Sequence, residues 1–252
     1  ALGSSVARKA AVIDFGDAHD AGPTDYWQTH HKLMTDITQA RDLPERVDRW
    51  DKAATFALAQ GLGPETMGML DLIGKVAPEE TVSSRMAALR AGGEYFTYRP
   101  EQTLKLLDRR DFADNPDAAV WRAMALSDIE RHEEAAAEFA KGDTVIGTYP
   151  PVIQRRYALS HIASAIDLKD YTTARDLLAQ LDPNSLSPSQ RARLDLLNAL
   201  ARDAAGHAAD AVTLLSNIVR EDKGPVAAEA TYRLVQLQRR EGLITLAQAI
   251  DR

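Results

Sequence analysis

There is no cysteine in this chain, and that one absence removes disulfides, thiolate metal sites and cysteine nucleophiles together. It fits a periplasmic location, with the cytoplasm as the alternative. No run of about 18 apolar residues occurs, so no segment reads as a membrane span. A basic excess is also missing. The formal net charge is −7 and the pI is near 5.4, which speaks against nucleic-acid binding and against adhesion to anionic membranes. Strand signals are nearly absent, with no clean two-residue alternation, few β-branched clusters and no Asn-Gly turn. What remains is ordinary for a folded soluble chain: 45% hydrophobic and 27% charged residues. At 252 residues the protein can bury a sizeable core, as one elongated domain or two compact ones. The chain starts with Ala and "LITLAQAIDR" stops inside a helical pattern, which suggests a processed chain or a piece of a longer one.

Proline is present and regularly placed. Pro44, Pro64, Pro78, Pro100, Pro116, Pro151, Pro188 and Pro225, with Pro23 before them, each stand at or just before a helix-like stretch. The first helical position tolerates proline because its missing N–H would have had no intrahelical partner. Asn115 and Ser187 precede two of these prolines and are good N-cap residues. Apolar residues between the prolines recur at helical spacing, as Leu194, Leu197, Ala201 and Ala204 do. The pattern predicts about a dozen helices of 10 to 18 residues. The expected class is all-α.

Four stretches share a design: "RHEEAAAEFAKG", "LKDYTTARDLLAQL", "AAGHAADAVTLLSNI" and "REGLITLAQAI". Each has a polar, turn-like start and then a small alanine, at Ala135, Ala174, Ala211 and Ala247. Four residues on stand Phe139, Leu178, Leu215 and, at the edge, Asp251. The alanines are 39, 37 and 36 residues apart, a period that fits repeated helix pairs. A small residue lets the second helix of a pair approach the first, and the bulky one fills the groove. Ala123, Ile162 and Ala199 recur about a dozen positions earlier. Such a unit cannot bury its face alone, so neighbours must stack.

These residues resemble the tetratricopeptide-repeat family, most closely in "WRAMALSDIERHEEAAAEF" and "YALSHIASAIDLKDYTTARDLL". The resemblance covers residues 100 to 252 well and 24 to 99 loosely. The period exceeds the family's usual 34 or so, and the Trp and Gly of its first helix are mostly missing. The resemblance implies a right-handed superhelix of stacked antiparallel helix pairs (an α-solenoid), with residues 1 to 23 as an arm or linker. Residues 24 to 99 then form divergent pairs, continuous with the repeats of 100 to 252. It also implies that first helices line a face for a protein or peptide partner. By alignment that face carries Val120, Met124, Arg156, Leu159 and Ala163, then Arg193, Leu196, Leu200, Tyr232, Gln236 and Arg239. The carboxylate clamp of some family members is not matched at these positions. The competing reading is that several of these residues are simply core.

Chemistry-bearing motifs are few. "DFGDAHD" at 14 to 20 gathers Asp14, Asp17, His19 and Asp20, but the spacing fails the calcium-loop template and no kinase motifs accompany it. It reads as a polar leader. His30 and His31 are neighbours about 100° apart on a helix, a poor chelate, and read as a partly buried pair near Trp27. No nucleophile elbow, phosphate loop or dinucleotide fingerprint is present. The sequence therefore predicts a non-catalytic scaffold without cofactor or metal; its Ala-, Leu- and Arg-rich repeats without cysteine resemble bacterial envelope repeat proteins, which implies one part of an envelope-associated assembly. Alternatives are a helical accessory region of a larger enzyme, such as a cell-wall lytic enzyme, or a self-assembling structural component.

Overall fold

In the computed structural model of the protein, residues 11–16, 26–222 and 224–245 are described below. They form twelve α-helices and no strand. In order these are α1 (Tyr26–Thr38), α2 (Leu43–Ala59), α3 (Gly63–Val76), α4 (Ser84–Phe96), α5 (Pro100–Leu107) and α6 (Pro116–Asp128). There follow α7 (His132–Gly142), α8 (Pro151–Asp167), α9 (Tyr171–Gln180), α10 (Pro188–Ala204), α11 (Ala208–Glu221) and α12 (Pro225–Arg240). The all-α expectation holds among the described residues. Helix starts follow the prolines: Asn115 caps α6, while Ser187 and Gln190 form a reciprocal capping box on α10. One local expectation fails. Gly92 and Gly93, expected in a connector, lie inside α4, where their missing Cβ atoms make room for Leu58 and Met67.

The even-numbered helices all end in the same way. Gly61, Tyr98, Glu130, Lys169, Gly206 and Gly242 have φ between 60° and 83° and follow α2, α4, α6, α8, α10 and α12. Their intervals are 37, 32, 39, 37 and 36 residues. At each, the left-handed residue's N–H donates three residues back and the next N–H donates five residues back, as in Gly61→Leu58, Leu62→Ala57 and Gly206→Asp203, His207→Arg202. This is the Schellman stop, which satisfies the last free carbonyls of a helix. The residue that closes it is already the N-cap of the next helix: Leu62, Arg99, Arg131, Asp170 and His207. The chain thus passes from one helix to the next with no loop to spare.

Side chains follow the same register. The fifth residue beyond the turn is Thr66, Thr103, Ala135, Ala174 and Ala211, each completely buried. The residue seven before it is Ala54, Ala91, Ala123, Ile162 and Ala199, also completely buried. Small groups therefore meet where four of these five helix pairs close, Ile162 being the exception, and Thr103 even donates its hydroxyl to the Ala91 carbonyl across that contact. The helix-pair period is present over 43–242, reaching into the region of weaker resemblance. Ala247 and Asp251 lie outside the described residues.

Two compact units divide the chain at Tyr157 and Ala158, within α8. The sequence suggests no such boundary, because the repeat register runs through it. The first unit is built around Trp121, whose indole meets Tyr95, Phe96 and Tyr149 at ring-centre distances of 6.0 to 6.2 Å. In it α2 packs on α4 and α4 on α6, besides the contacts between consecutive helices. The second unit has its own apolar clusters, one around Leu159, Ile162 and Leu194, another around Leu196, Leu215 and Leu234. There α10 packs on α11 and α12.

Two glycines separate the backbone requirement from the packing requirement. A Cβ at Gly206 would meet nothing within 4 Å, so Gly206→Ala should cost only the left-handed strain, about 1 kcal/mol. At Gly63 it would lie 2.7 Å from the Gly93 carbonyl oxygen and 2.9 Å from a Phe96 backbone carbon. Gly63→Ala should therefore cost more, about 2–3 kcal/mol. Equilibrium urea unfolding of both variants checks the order; a Gly206→Ala chain as stable as wild type would show that the turn does not need its left-handed residue.

Candidate binding face

Counting back from each left-handed residue defines a face of the even-numbered helices. Positions 13, 10 and 6 before it are Asp48, Asp51 and Thr55 on α2, Arg85 (13 before) on α4, and Asp117, Val120 and Met124 on α6. The residues carried over by resemblance fall on the same positions, except Arg239, which stands three before Gly242; Glu229, not among them, holds the first position on α12. Arg156, Leu159 and Ala163 hold them on α8, Arg193, Leu196 and Leu200 on α10, and Glu229, Tyr232 and Gln236 on α12. The register is common, but the exposure is not.

Met124, Leu159 and Leu196 are core residues, with at most 2% of their surface accessible. Met124 lies on α6, which packs on α4, Leu196 on α10, which packs on α12, and Leu159 belongs to the apolar cluster with Ile162, Leu186 and Leu194. They offer no surface to a partner. Arg156 is held from both sides: its Nε donates to the Tyr95 hydroxyl at 2.6 Å and its Nη2 to Asp128 at 2.8 Å. Burial alone would lower its pKa, but the Tyr95 phenol and the Asp128 carboxylate together hold it above the usual arginine value. Arg193 is likewise engaged, through Glu229 on the next even-numbered helix at 2.6 Å. Tyr232, 61% accessible, is exposed with Gln236 and Arg239. It stands ten before Gly242, a position that is core in α6, α8 and α10, because α12 is the last even-numbered helix among the described residues. Of the eleven residues expected at the face, Val120, Met124, Leu159 and Leu196 are in the core, Ala163 and Leu200 are half-buried, Arg156 and Arg193 are in ion pairs, and Tyr232, Gln236 and Arg239 are in solvent.

The motif at 14 to 20 is only partly described. Asp17, His19 and Asp20 lie outside the described residues, whereas residues 11–16 do not behave as a polar leader. Ile13 and Phe15 are buried at 2% and 5% accessibility within the core of the first unit, while Asp14 between them faces outward. The Val12 N–H donates to Asp117 Oδ2 at 2.7 Å, and the Tyr149 hydroxyl donates to Asp117 Oδ1 at 2.6 Å. The Phe15 ring lies against Tyr149 with centres 5.2 Å apart. Along its other side the segment borders a cleft of ≈ 590 Å³ lined by Lys32, Lys52, Thr55, Phe56 and Arg85. A stretch of chain bent at Val12 and Ile13 therefore lies against face positions of α2, α4 and α6. The alternation at Ile13, Asp14 and Phe15 was the available signal, hidden by the acidic residues around it.

The buried carboxylate carries its own electrostatics. Removal from water pushes the Asp117 carboxyl above its usual value, and the bonds from Tyr149 and Val12 offset this only in part. Burial pushes the Tyr149 hydroxyl well above its ordinary pKa, helped by the adjacent Asp117 charge. Tyr149 is thus a donor at every physiological pH.

The partly buried His30–His31 pair expected near Trp27 holds only for His30: it is half-buried with its ring 6.3 Å from that of Trp27, whereas His31 is exposed and Trp27 is 74% accessible. His30 also stacks on Tyr26, which stacks on Phe56. No group of three or more metal-ligating side chains occurs among the described residues. No helix among them is long and apolar enough to cross a membrane. No protein-family model matches the chain, and no curated protein matches it significantly.

Asp117 gives a pH-dependent test. Its folded pKa lies above the usual 3.8, so the folded chain holds this proton more tightly than the unfolded chain does. The stability it contributes is full at low pH and is lost as pH rises from 3.8 through the raised value. Asp117→Asn carries no such titration. The unfolding free energy of the variant minus that of wild type should therefore increase between about pH 4 and about pH 7. Guanidinium unfolding at several pH values measures it; a difference that falls with pH would mean a lowered, not raised, carboxyl pKa.

Proposed function

We propose that the protein is a non-catalytic scaffold of tetratricopeptide-like helix pairs that binds a protein or peptide partner along the even-numbered helices. The observation that carries this reading is the six-fold recurrence of one turn geometry, with buried residues, all but Ile162 small, at matching positions on both sides of the first five turns. Repeats of this kind stack into superhelices whose first helices form a continuous binding surface. A right-handed stack of antiparallel pairs is the arrangement proposed here. The sequence resemblance points the same way.

Tyr232, Gln236 and Arg239 supply the accessible part of that surface in the second unit: an aromatic ring, an amide and a cation on one side of α12. An aromatic beside an arginine is the composition enriched at binding hot spots. The setting we propose is a bacterial envelope assembly, in the periplasm, where a chain without cysteine has no thiols to misoxidise.

Site-specific photo-cross-linking in cells tests the reading. A photoreactive residue at Tyr232 or Gln236 should capture one or a few defined proteins, identified by mass spectrometry, while the same residue at exposed Arg175 on α9 should not. Equal capture from all three positions, or from none, would remove α12 as the partner surface. Tyr232→Ala with Arg239→Glu should lower the yield about tenfold, as losing a hot spot of about 1.4 kcal/mol would.

A further inference from the structure

The segment Val12–Phe15 sits on the first unit as a bound peptide would. Ile13 and Phe15 are buried in the apolar core and Asp14 between them is exposed, as anchors of a bound peptide alternate with its outward residues. Its backbone is anchored by a side chain: the Val12 N–H on Asp117. Beside Asp14 and Phe15 the cleft carries three cations, Lys32, Lys52 and Arg85, against one further carboxylate, Asp36. Lys52 is paired with Asp48, and Arg85 donates to Asp51 and Thr55, so the cleft is ordered. Thr55, Arg85 and Asp117 hold face positions on three successive even-numbered helices. A six-residue stretch of the chain therefore occupies the face that repeat helices offer to partners.

We infer that this face of the first unit is a peptide-binding site, occupied in cis by Val12–Phe15, and that its partner is a protein segment of the pattern apolar–acidic–aromatic bound in the same way. The apolar and aromatic residues fill the seats of Ile13 and Phe15 against Tyr149, and the acidic one faces the Lys32, Lys52 and Arg85 side of the cleft. The partner's backbone N–H takes the place of Val12 at Asp117. The chain's own segment competes with the partner, so binding requires its displacement. This deepens the scaffold reading and rests on it, but it concerns a different surface from that of α12.

The probe is a fluorescein-labelled peptide with the sequence of residues 11–16, AVIDFG, added to the full chain. The Ile13→Ser, Phe15→Ala double variant, its own segment weakened, should bind the probe saturably and at least about tenfold more tightly than wild type, the advantage expected when an intramolecular competitor is lost. A probe with lysine in place of its aspartate should bind about tenfold more weakly, and that change cannot affect folding. Hydrogen exchange on wild type adds a measurement that needs no variant. The Val12 amide should exchange through local opening, with protection about a hundredfold or more below that of Ala123 in α6.

Failure of the probe to bind a variant that keeps its helical content would overturn the inference. Val12 protection equal to that of Ala123 would do the same, because the segment would then open only with the whole unit. A wild-type dimer by sedimentation that the double variant loses would assign the site to a second copy of this chain instead. Failure of the α12 cross-linking with success here would leave a peptide site and refute the α12 surface. The converse would leave the α12 surface and refute this site.

Discussion

A left-handed residue at the end of every even-numbered helix is the constraint on which the rest of this structure depends. It turns the chain at once, satisfies two carbonyls that the helix leaves free, and hands the chain to a residue already capping the next helix. With the turn fixed, the residues seven before and five after it occupy matched places in each pair, and all but Ile162 are small. Ala91 and Thr103, or Ala123 and Ala135, are examples, all buried. The cost of the turn is visible in its residues. Three are glycine, but Tyr98, Glu130 and Lys169 carry side chains in a conformation that costs an ordinary residue about 1–2 kcal/mol. Packing of the helix pairs outweighs it.

The polar groups of the face are used in two ways. Arg85, Arg156 and Arg193 each pair with an acidic group on a neighbouring even-numbered helix, Asp51, Asp128 and Glu229. These pairs are half-buried, where charge-assisted bonds fix register more than they add stability. Asp117 is different. It carries no basic partner and is matched by a phenol and a backbone amide, so its charge is held by hydrogen bonds alone. That makes the N-terminal segment part of the solvation of a buried carboxylate. Removing the segment would leave Asp117 short of one donor, a loss of roughly 1.5–3 kcal/mol for a charged group.

Much of the fold was legible because it is written in local chemistry. Pro116 with Asn115, and Pro188 with Ser187, announce helix starts that the structure reproduces, and Ala135, Ala174 and Ala211 mark the period. The same alignment placed Arg156 and Arg193 in one register position, whereas Tyr232 falls at that of Leu159 and Leu196. It could not separate core from surface, because Met124 and Gln236 hold the same repeat position with opposite exposure. Exposure there depends on whether another helix follows, which no single repeat encodes. The early repeats were hidden for a related reason: Thr66 and Thr103 stand where later repeats use alanine, and Tyr98 and Glu130 stand where a glycine would have signalled the turn. The N-terminal segment was obscured by composition, since Asp14 and the acidic residues after it outweighed the two apolar residues that do the packing.

The uneven spacing of the turns, from 32 to 39 residues, has a bearing on how such a chain can change over time. Because the residue closing one helix is the cap of the next, a single insertion or deletion at that joint would rotate the following helix by about 100° and misdirect its apolar side. The connections on the other side of each pair are looser. They contain short turns such as Ile146–Thr148 and Pro183–Ser185, and helix lengths from 8 to 17 residues are accommodated around them. Length variation is therefore channelled to one end of the helix pairs. Additions there lengthen a connection without disturbing the register of the face, so the two ends of each pair are open to unequal divergence.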